Sequence, residues 1–243
     1  MNTDMDVINI PGGGLHFSAI TADKLGASEY TLVTIICDIS GSVDYYAKDL
    51  LNCVKTVIEA CKKSPRAENL LIRFLTFNHS IMEDHGFKLL SMIDAQNDYL
   101  PFRTGGSTNL FGATADGVSA TLAYAKILKD QDFDVNGAIY IITDGEDNCH
   151  TSSPQKIKKM LDSIKQTEAI ESLITILIGV NDSSCKTALE DFRVNANLTQ
   201  YIEMGNSSAQ KFAKLAGFVS KSISSQSQAL GTGAASQPLS ATF

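Results

Sequence analysis

Three short stretches of this sequence carry oxygen-bearing side chains at spacings suited to a hard cation. The first is Asp38-Ile39-Ser40-Gly41-Ser42, in which a carboxylate and two hydroxyls alternate along an extended turn. Alternation lets Asp38, Ser40 and Ser42 converge while Ile39 faces the core, and Gly41 permits a tight backbone. The second, Gly105-Gly106-Ser107-Thr108-Asn109-Leu110, sets a hydroxyl just ahead of a helical pattern. The third, Thr143-Asp144-Gly145-Glu146-Asp147-Asn148, is a second acidic cluster. None of the three contains a thiol or an imidazole, and an oxygen-only donor set favours magnesium, manganese or calcium. Hydroxyls are neutral ligands, so an ion held largely by Ser and Thr keeps much of its charge and can accept a further carboxylate from another molecule. A set of five aspartates would neutralise the ion and leave it little to gain from another anion.

Taken singly, each stretch is ordinary. Ser or Asp after a strand caps helices, and Thr-Asp-Gly-Glu-Asp-Asn is the composition of a solvated turn. Glu146, Asp147 and Asn148 suit either the rim of a site or solvent. What gives the stretches weight is the order of elements that would position them. Tyr30 to Cys37 is a β-branched run without polar interruption, as expected of a strand covered on both faces. A helix follows from Tyr45 to Lys63, with Leu50, Leu51, Val54, Val57, Ile58 and Cys61 at helical spacing before Ser64-Pro65. Leu70 to Phe77 reads as a strand, and Asn78-His79-Ser80 turns it into a short antiparallel return over Ile81 to Phe87. Helices are expected over Leu110 to Lys129, Pro154 to Thr167, Ser184 to Asn195 and Ser208 to Ser222, alternating with strands at Ala138 to Thr143, Leu173 to Val180 and Thr199 to Met204. Such alternation predicts an α/β, Rossmann-like, doubly wound sheet: six strands, mostly parallel, with one short antiparallel edge strand. Functional groups in such sheets gather at the carboxyl ends of the strands, where the three stretches fall.

The chain has 243 residues, 44% hydrophobic and 19% charged, which is ordinary globular usage with length for one sizeable core. Twenty Lys and Arg against twenty-seven Asp and Glu give a net charge of −7, which argues against nucleic acid or an anionic membrane as partner. No apolar run approaches the ~18 residues of a membrane span, and the acidic start lacks the basic and apolar regions of a secretory signal. The expected compartment is the cytoplasm. Five scattered cysteines without a Cys-x-x-Cys pair read as reduced thiols, with Cys37 a small apolar filler, and His16, His79, His85 and His150 are dispersed. Residues 1–29 are expected to be an N-terminal extension, with a loop at Pro11-Gly12-Gly13-Gly14. Residues 30–224 form the domain, and residues 225–243, rich in Ser, Gln and Gly, a flexible tail.

Asp38-x-Ser40-x-Ser42, then Thr108, then Asp144 resembles the metal-ion-dependent adhesion site of von Willebrand factor A domains, over roughly residues 30 to 224. The resemblance implies that Ser40, Ser42 and Thr108 contact the ion directly or nearly so, while Asp38 and Asp144 act largely through bound water. It implies a divalent cofactor, magnesium first and manganese or calcium after it, and a protein partner that presents an Asp or Glu. Without disulfide pattern or adhesion modules, the chain looks like the intracellular branch, whose members act as scaffolds or as partners of larger assemblies, including ring ATPases. In some members ligand capture is coupled to movement of the last helix, here Ser208 to Ser222. Two further readings compete with the interaction module. One is a structural scaffold that self-associates, in its sharp form by seating an acidic residue of one copy, Glu146 or Asp147, in the metal site of the next. The other is a magnesium-dependent phosphoryl-transfer or hydrolytic enzyme. The enzyme is disfavoured because no Walker-type Gly-Lys-Ser/Thr is present and Arg103 is the only cation beside the three loops.

Overall fold

The computed structural model describes residues 4–10, 16–167, 169–234 and 237–241. In chain order the elements are β1 (Met5–Asn9), β2 (His16–Ile20), β3 (Glu29–Asp38), α1 (Ala47–Cys61), β4 (Leu70–Phe77), β5 (Ile81–Leu89), α2 (Ala95–Asp98), α3 (Leu110–Lys129), β6 (Asp134–Thr143), α4 (Pro154–Thr167), β7 (Ser172–Val180), α5 (Lys186–Ala196), β8 (Gln200–Gly205) and α6 (Ala209–Gly231). They build one eight-stranded sheet in the order β1-β2-β5-β4-β3-β6-β7-β8. From β4 to β8 every neighbouring pair is parallel, and β5 runs antiparallel to β4.

The strands sort their side chains by the two-residue period of a pleated sheet. On β3, Val33, Ile35 and Cys37 face α1 and α6, while Ile36 faces α3, α4 and α5. Both faces are covered, which is why β3 reads as unbroken apolar sequence. The helix α3 comes unusually close to the sheet because its inner face is built of small residues. A Cβ at Gly117 would stand 2.5 Å from Ile36 Cδ1. Among the described residues, no helix is long and apolar enough to cross a membrane.

The sheet has eight strands where six are expected, because part of the N-terminal extension belongs to it. β1 pairs antiparallel with β2, and β2 bridges to β5 at Ala19 and Phe87. β5 is therefore interior and not the sheet edge. A carboxylate fastens the hairpin: Glu83 Oε1 accepts Ser18 N–H (2.8 Å) and Ser18 O–H (2.6 Å), and Glu83 Oε2 accepts Arg73 Nε–H (2.7 Å). Arg73 is 1% exposed, and its Nη1 lies 2.8 Å from Asp116 Oδ1 off the hydrogen-bond line, a charge pair rather than a directed bond. Gly86 is required here, since any Cβ would collide with the Ser18 carbonyl. The expected loop at Pro11 to Gly14 lies outside the described residues.

The last helix is also longer than its periodicity suggests, running to Gly231 instead of ending near Ser222. The expected flexible tail therefore starts inside a helix whose Ser222, Gln226 and Ser227 are fully buried. Each finds a polar partner: Tyr140 donates to Ser222 Oγ (2.9 Å), Asn136 to the Gln226 carbonyl (2.7 Å) and Arg66 Nε–H to Ser227 Oγ (3.0 Å). Further on, Gln226 Nε2–H donates to the Gln237 carbonyl at 2.9 Å, and Leu239 and Ala241 pack against the core.

Candidate metal centre

The three oxygen-rich stretches are the loops after β3, before α3 and after β6, all at the carboxyl edge of the parallel strands. Asp38 is the last residue of β3 and has no exposed surface. Ile39 N–H donates to the Phe77 carbonyl at 2.7 Å, prolonging the pairing of β3 with β4 by one residue and burying Ile39 as expected. The chain then turns out of the sheet, and Ser40 N–H folds back onto Asp38 Oδ1 at 2.7 Å. Ser40 Oγ and Ser42 Oγ stand 3.3 Å apart, and Ser42 donates to Asp144 Oδ1 at 2.7 Å.

Backbone bonds fasten the loops to one another. Gly105 N–H donates to the Ile39 carbonyl (2.9 Å) and Gly41 N–H to the Gly106 carbonyl (3.2 Å), joining the first loop to the second. Gly105 and Gly106 have φ of +141° and +80°, a conformation that favours glycine. The second and third loops join through Asn148, whose N–H donates to the Thr108 carbonyl (2.9 Å) and whose Oδ1 accepts Thr108 N–H (2.7 Å). Thr108 is thereby turned toward the third loop, where a Cβ at Gly145 would lie 3.7 Å from its Oγ1. Asp38, Ser40, Ser42, Thr108 and Asp144 thus share one small region, linked by hydrogen bonds between the first and third loops and by the backbone fastening of the second.

The neighbouring acidic residues take different roles. Asp147 is a fastening group: Oδ1 accepts Phe111 N–H (3.0 Å) in the first turn of α3, and Oδ2 accepts His150 N–H (2.8 Å). It supplies the cap that the Asn109 side chain does not. Glu146 is exposed. Asn78, which sequence reasoning treated only as a turn residue, braces the second loop by donating to the Gly105 carbonyl (2.8 Å) while its own carbonyl accepts Asn109 N–H (2.9 Å). Its signal was an amide directly after a strand, too common a feature to single out. Thr143 was likewise passed over, although it donates to Asp38 Oδ2 at 2.6 Å.

Burial sets the electrostatics. It pushes the Asp38 carboxyl up to about 6, against hydrogen bonds from Thr143 and Ser40 that favour the ionised form, and the charge of Asp144 raises it further. Burial, together with the negative charge of Asp144, also holds the Tyr46 phenol well above its ordinary range. Cys37 is buried beside Asp38, and burial raises its thiol well above the usual value, as expected of an apolar filler.

The donor set fits a hard cation. In an octahedron with metal–oxygen distances of about 2.0–2.1 Å, adjacent ligand oxygens stand about 2.9 Å apart. The 3.3 Å between Ser40 Oγ and Ser42 Oγ lies close to that edge. Among the described residues no group of three or more His, Cys, Asp or Glu side chains could hold a metal ion.

No family model matches the sequence, and no curated protein matches it in sequence. Solved structures do match in fold. Proximal thread matrix protein 1 from the mussel byssus, in a form with a zinc-occupied MIDAS motif, is similar at 19% identity and a TM-score of 0.53, over 82% of this chain and 47% of that one. A point mutant of the PilB minor pilin from Streptococcus sanguinis is similar at 12% identity and a TM-score of 0.59, over 90% of this chain and 66% of the pilin. The ArnB paralog VWA2 from Sulfolobus acidocaldarius is similar at 11% identity and a TM-score of 0.51, over 85% and 48%. This chain therefore spans about half the length of the mussel protein. The fold is that of von Willebrand factor A domains, with two strands, β2 and β5, running against the common direction on one flank of an otherwise parallel sheet.

Proposed function

We propose that this chain is a divalent-metal-dependent protein–protein interaction module, in which an ion at Ser40, Ser42 and Thr108 captures an Asp or Glu side chain of a partner. The observation that carries the reading is the pairing of neutral hydroxyls at octahedral spacing with aspartates that are already engaged. Both Asp38 oxygens accept hydrogen bonds from the protein, and Asp144 accepts one from Ser42. Held this way, Asp38 and Asp144 act on the ion through water, and hydroxyls leave the ion electrophilic. When bound, the ion supplies a Lewis-acidic position for a carboxylate. The protein's residues orient its ligands and fix the loops. Magnesium is the ion we assign, with manganese and calcium as alternatives; the zinc at the MIDAS of the mussel protein supports a divalent ion in general.

We place the module inside the cell, as part of a scaffold or a larger assembly such as one built on a ring ATPase. Cys37, Cys53 and Cys61 are buried free thiols and Cys149 is a partly buried one, which supports a reducing compartment. We assign it no catalytic role. Calorimetric titration of magnesium and manganese into wild type and Asp38→Ala tests the site, with circular dichroism to show that both fold. Binding by wild type alone is the expected result, and equal binding of an acidic partner in excess chelator would overturn the module.

A second reading draws on Glu146, which is exposed on the third loop beside Asp144. A copy of the chain presenting Glu146 to the metal of its neighbour would self-assemble through the same chemistry. Light scattering separates the two: magnesium-dependent mass that Glu146→Gln abolishes supports the scaffold, and a monomer with and without magnesium leaves the module.

A further inference from the structure

We infer that Thr143, which lies outside the five-residue motif, is a positioning residue of the metal centre: its hydroxyl fixes the Asp38 carboxylate and the turn carrying Asp144 in one geometry. The inference rests on the proposed cation site.

Thr143 ends β6, is 1% exposed, and is passed over by any reading that treats it as the tail of a strand. Its hydroxyl has one proton and two acceptors in reach, Asp38 Oδ2 at 2.6 Å and the Gly145 carbonyl at 3.1 Å, and the shorter contact to the carboxylate takes it. The hydroxyl oxygen accepts Gly145 N–H at 3.2 Å, closing the turn in which Asp144 sits. A ring results. Asp38 Oδ1 holds Ser40 N–H, Ser40 Oγ neighbours Ser42 Oγ, Ser42 donates to Asp144, and the Asp144–Gly145 turn returns through Thr143 to Asp38. Without the Thr143 hydroxyl the ring opens at its base, and Asp38 Oδ2 loses the hydrogen bond that the protein gives it. Asp38 has no exposed surface, so bulk water does not replace that donor. The carboxylate then turns to find another partner, carrying the Ser40 backbone with it, while the third loop loses the bond that shapes its turn. Both sides of the cation site lose their alignment from one atom. Outer partners of metal ligands act this way in general, and their loss weakens metal binding by roughly 10–100-fold.

A purely structural role would show in stability and not in affinity, so the test separates the two. Magnesium and manganese are titrated calorimetrically into wild type, Thr143→Val, Thr143→Ala and Thr143→Ser, each shown by circular dichroism to be folded at the titration temperature. Thr143→Ala is included because it removes the hydroxyl without a second branched methyl, should the valine variant fail to fold. The expected result is a loss of affinity of at least about tenfold in the valine and alanine variants, with the serine variant within about threefold of wild type. Unchanged affinity in the folded valine or alanine variant overturns the inference. So does an equal loss in the serine variant, which would assign the effect to the methyl group. If wild type binds neither ion, the cation reading itself fails and this inference with it; tight wild-type binding with indifferent variants removes the inference alone.

Discussion

At the scale of single residues, two buried titratable groups illustrate how the same burial serves different ends. Asp38 is buried where hydrogen bonds from Thr143 and Ser40 favour its charge. His85, on β5, is buried where the cost of desolvating a proton outweighs the Gly86 carbonyl, Asp98 and Glu83, which favour it. Its Nδ1 faces the Gly86 carbonyl at 2.8 Å, its Nε2 faces the Tyr99 hydroxyl at 2.9 Å, and its ring stacks on Tyr99. Nδ1–H therefore donates and Nε2 accepts, the pattern of a neutral imidazole. Burial lowers its pKa from the ordinary 6.5 to about 4. Between those values the unfolded chain binds the proton and the folded chain does not, so stability rises with pH across the window. The contribution is fully present above pH 6.5 and is lost as pH falls through 4. A shift of that size corresponds to roughly 3 kcal/mol. Urea unfolding of wild type and His85→Gln at pH 4 to 7 checks this. The gap between them is expected to shift against wild type by about that amount on acidification, and parallel curves would place the ring in solvent.

At the scale of elements, neighbouring residues that look alike in sequence take different partners. Asp144 and Asp147 are both acidic residues of one turn, yet Asp144 meets Ser42 while Asp147 anchors the start of α3. Removing the second carboxylate in Asp147→Ala leaves Phe111 N–H without its acceptor and is expected to cost about 1–3 kcal/mol in urea unfolding. Glu83 gives the same lesson at the far side of the sheet. Glu83→Gln removes a charge partner of the buried Arg73, a change expected to cost about 3 kcal/mol or more, and amide exchange should quicken over β1 and β2 before the rest of the sheet. Periodicity made the parallel strands and α3 legible, because they bury apolar faces against each other; α3 was expected over the residues it occupies. It shows a short apolar alternation at His16 to Ile20 but not that this piece, β2, joins the sheet, because it meets β5 through one bridge and a carboxylate. Nor could it reveal the end of α6, where Ser222, Gln226 and Ser227 are buried by polar partners that lie 82, 90 and 161 positions away in sequence. Polar residues read as exposed unless the groups that satisfy them are known. The five residues of the candidate site were legible because their spacing is local within each loop. Asn78 and Thr143 were not, since their roles consist of contacts between loops.

At the scale of the whole molecule, the candidate site lies on an edge whose loops are fastened to one another by the protein's own groups. The loops are joined by backbone bonds such as Gly105 to Ile39, Gly41 to Gly106 and Asn148 to Thr108, and their supports continue into β3, β4, β6 and α3. An ion that binds such an arrangement orders little, so its binding free energy adds almost wholly to global stability. At a free concentration of 100 times its Kd, an ion specific to the folded state contributes about 2.7 kcal/mol. For a chain of this length each kcal/mol moves the midpoint by about 2–4 °C, so saturating magnesium should raise Tm by roughly 5–10 °C. Chelator should reverse the rise, Asp38→Ala should lack it, and the urea m-value should stay the same with and without the ion, because neither compactness nor exposed area changes. A rise in m-value together with a change in far-ultraviolet circular dichroism would mean that the ion orders backbone, and that the loops fasten to one another only around it. The measurement therefore reads two things: the size of the midpoint shift tests the cation, and the constancy of m tests whether the fold alone builds the edge that receives it.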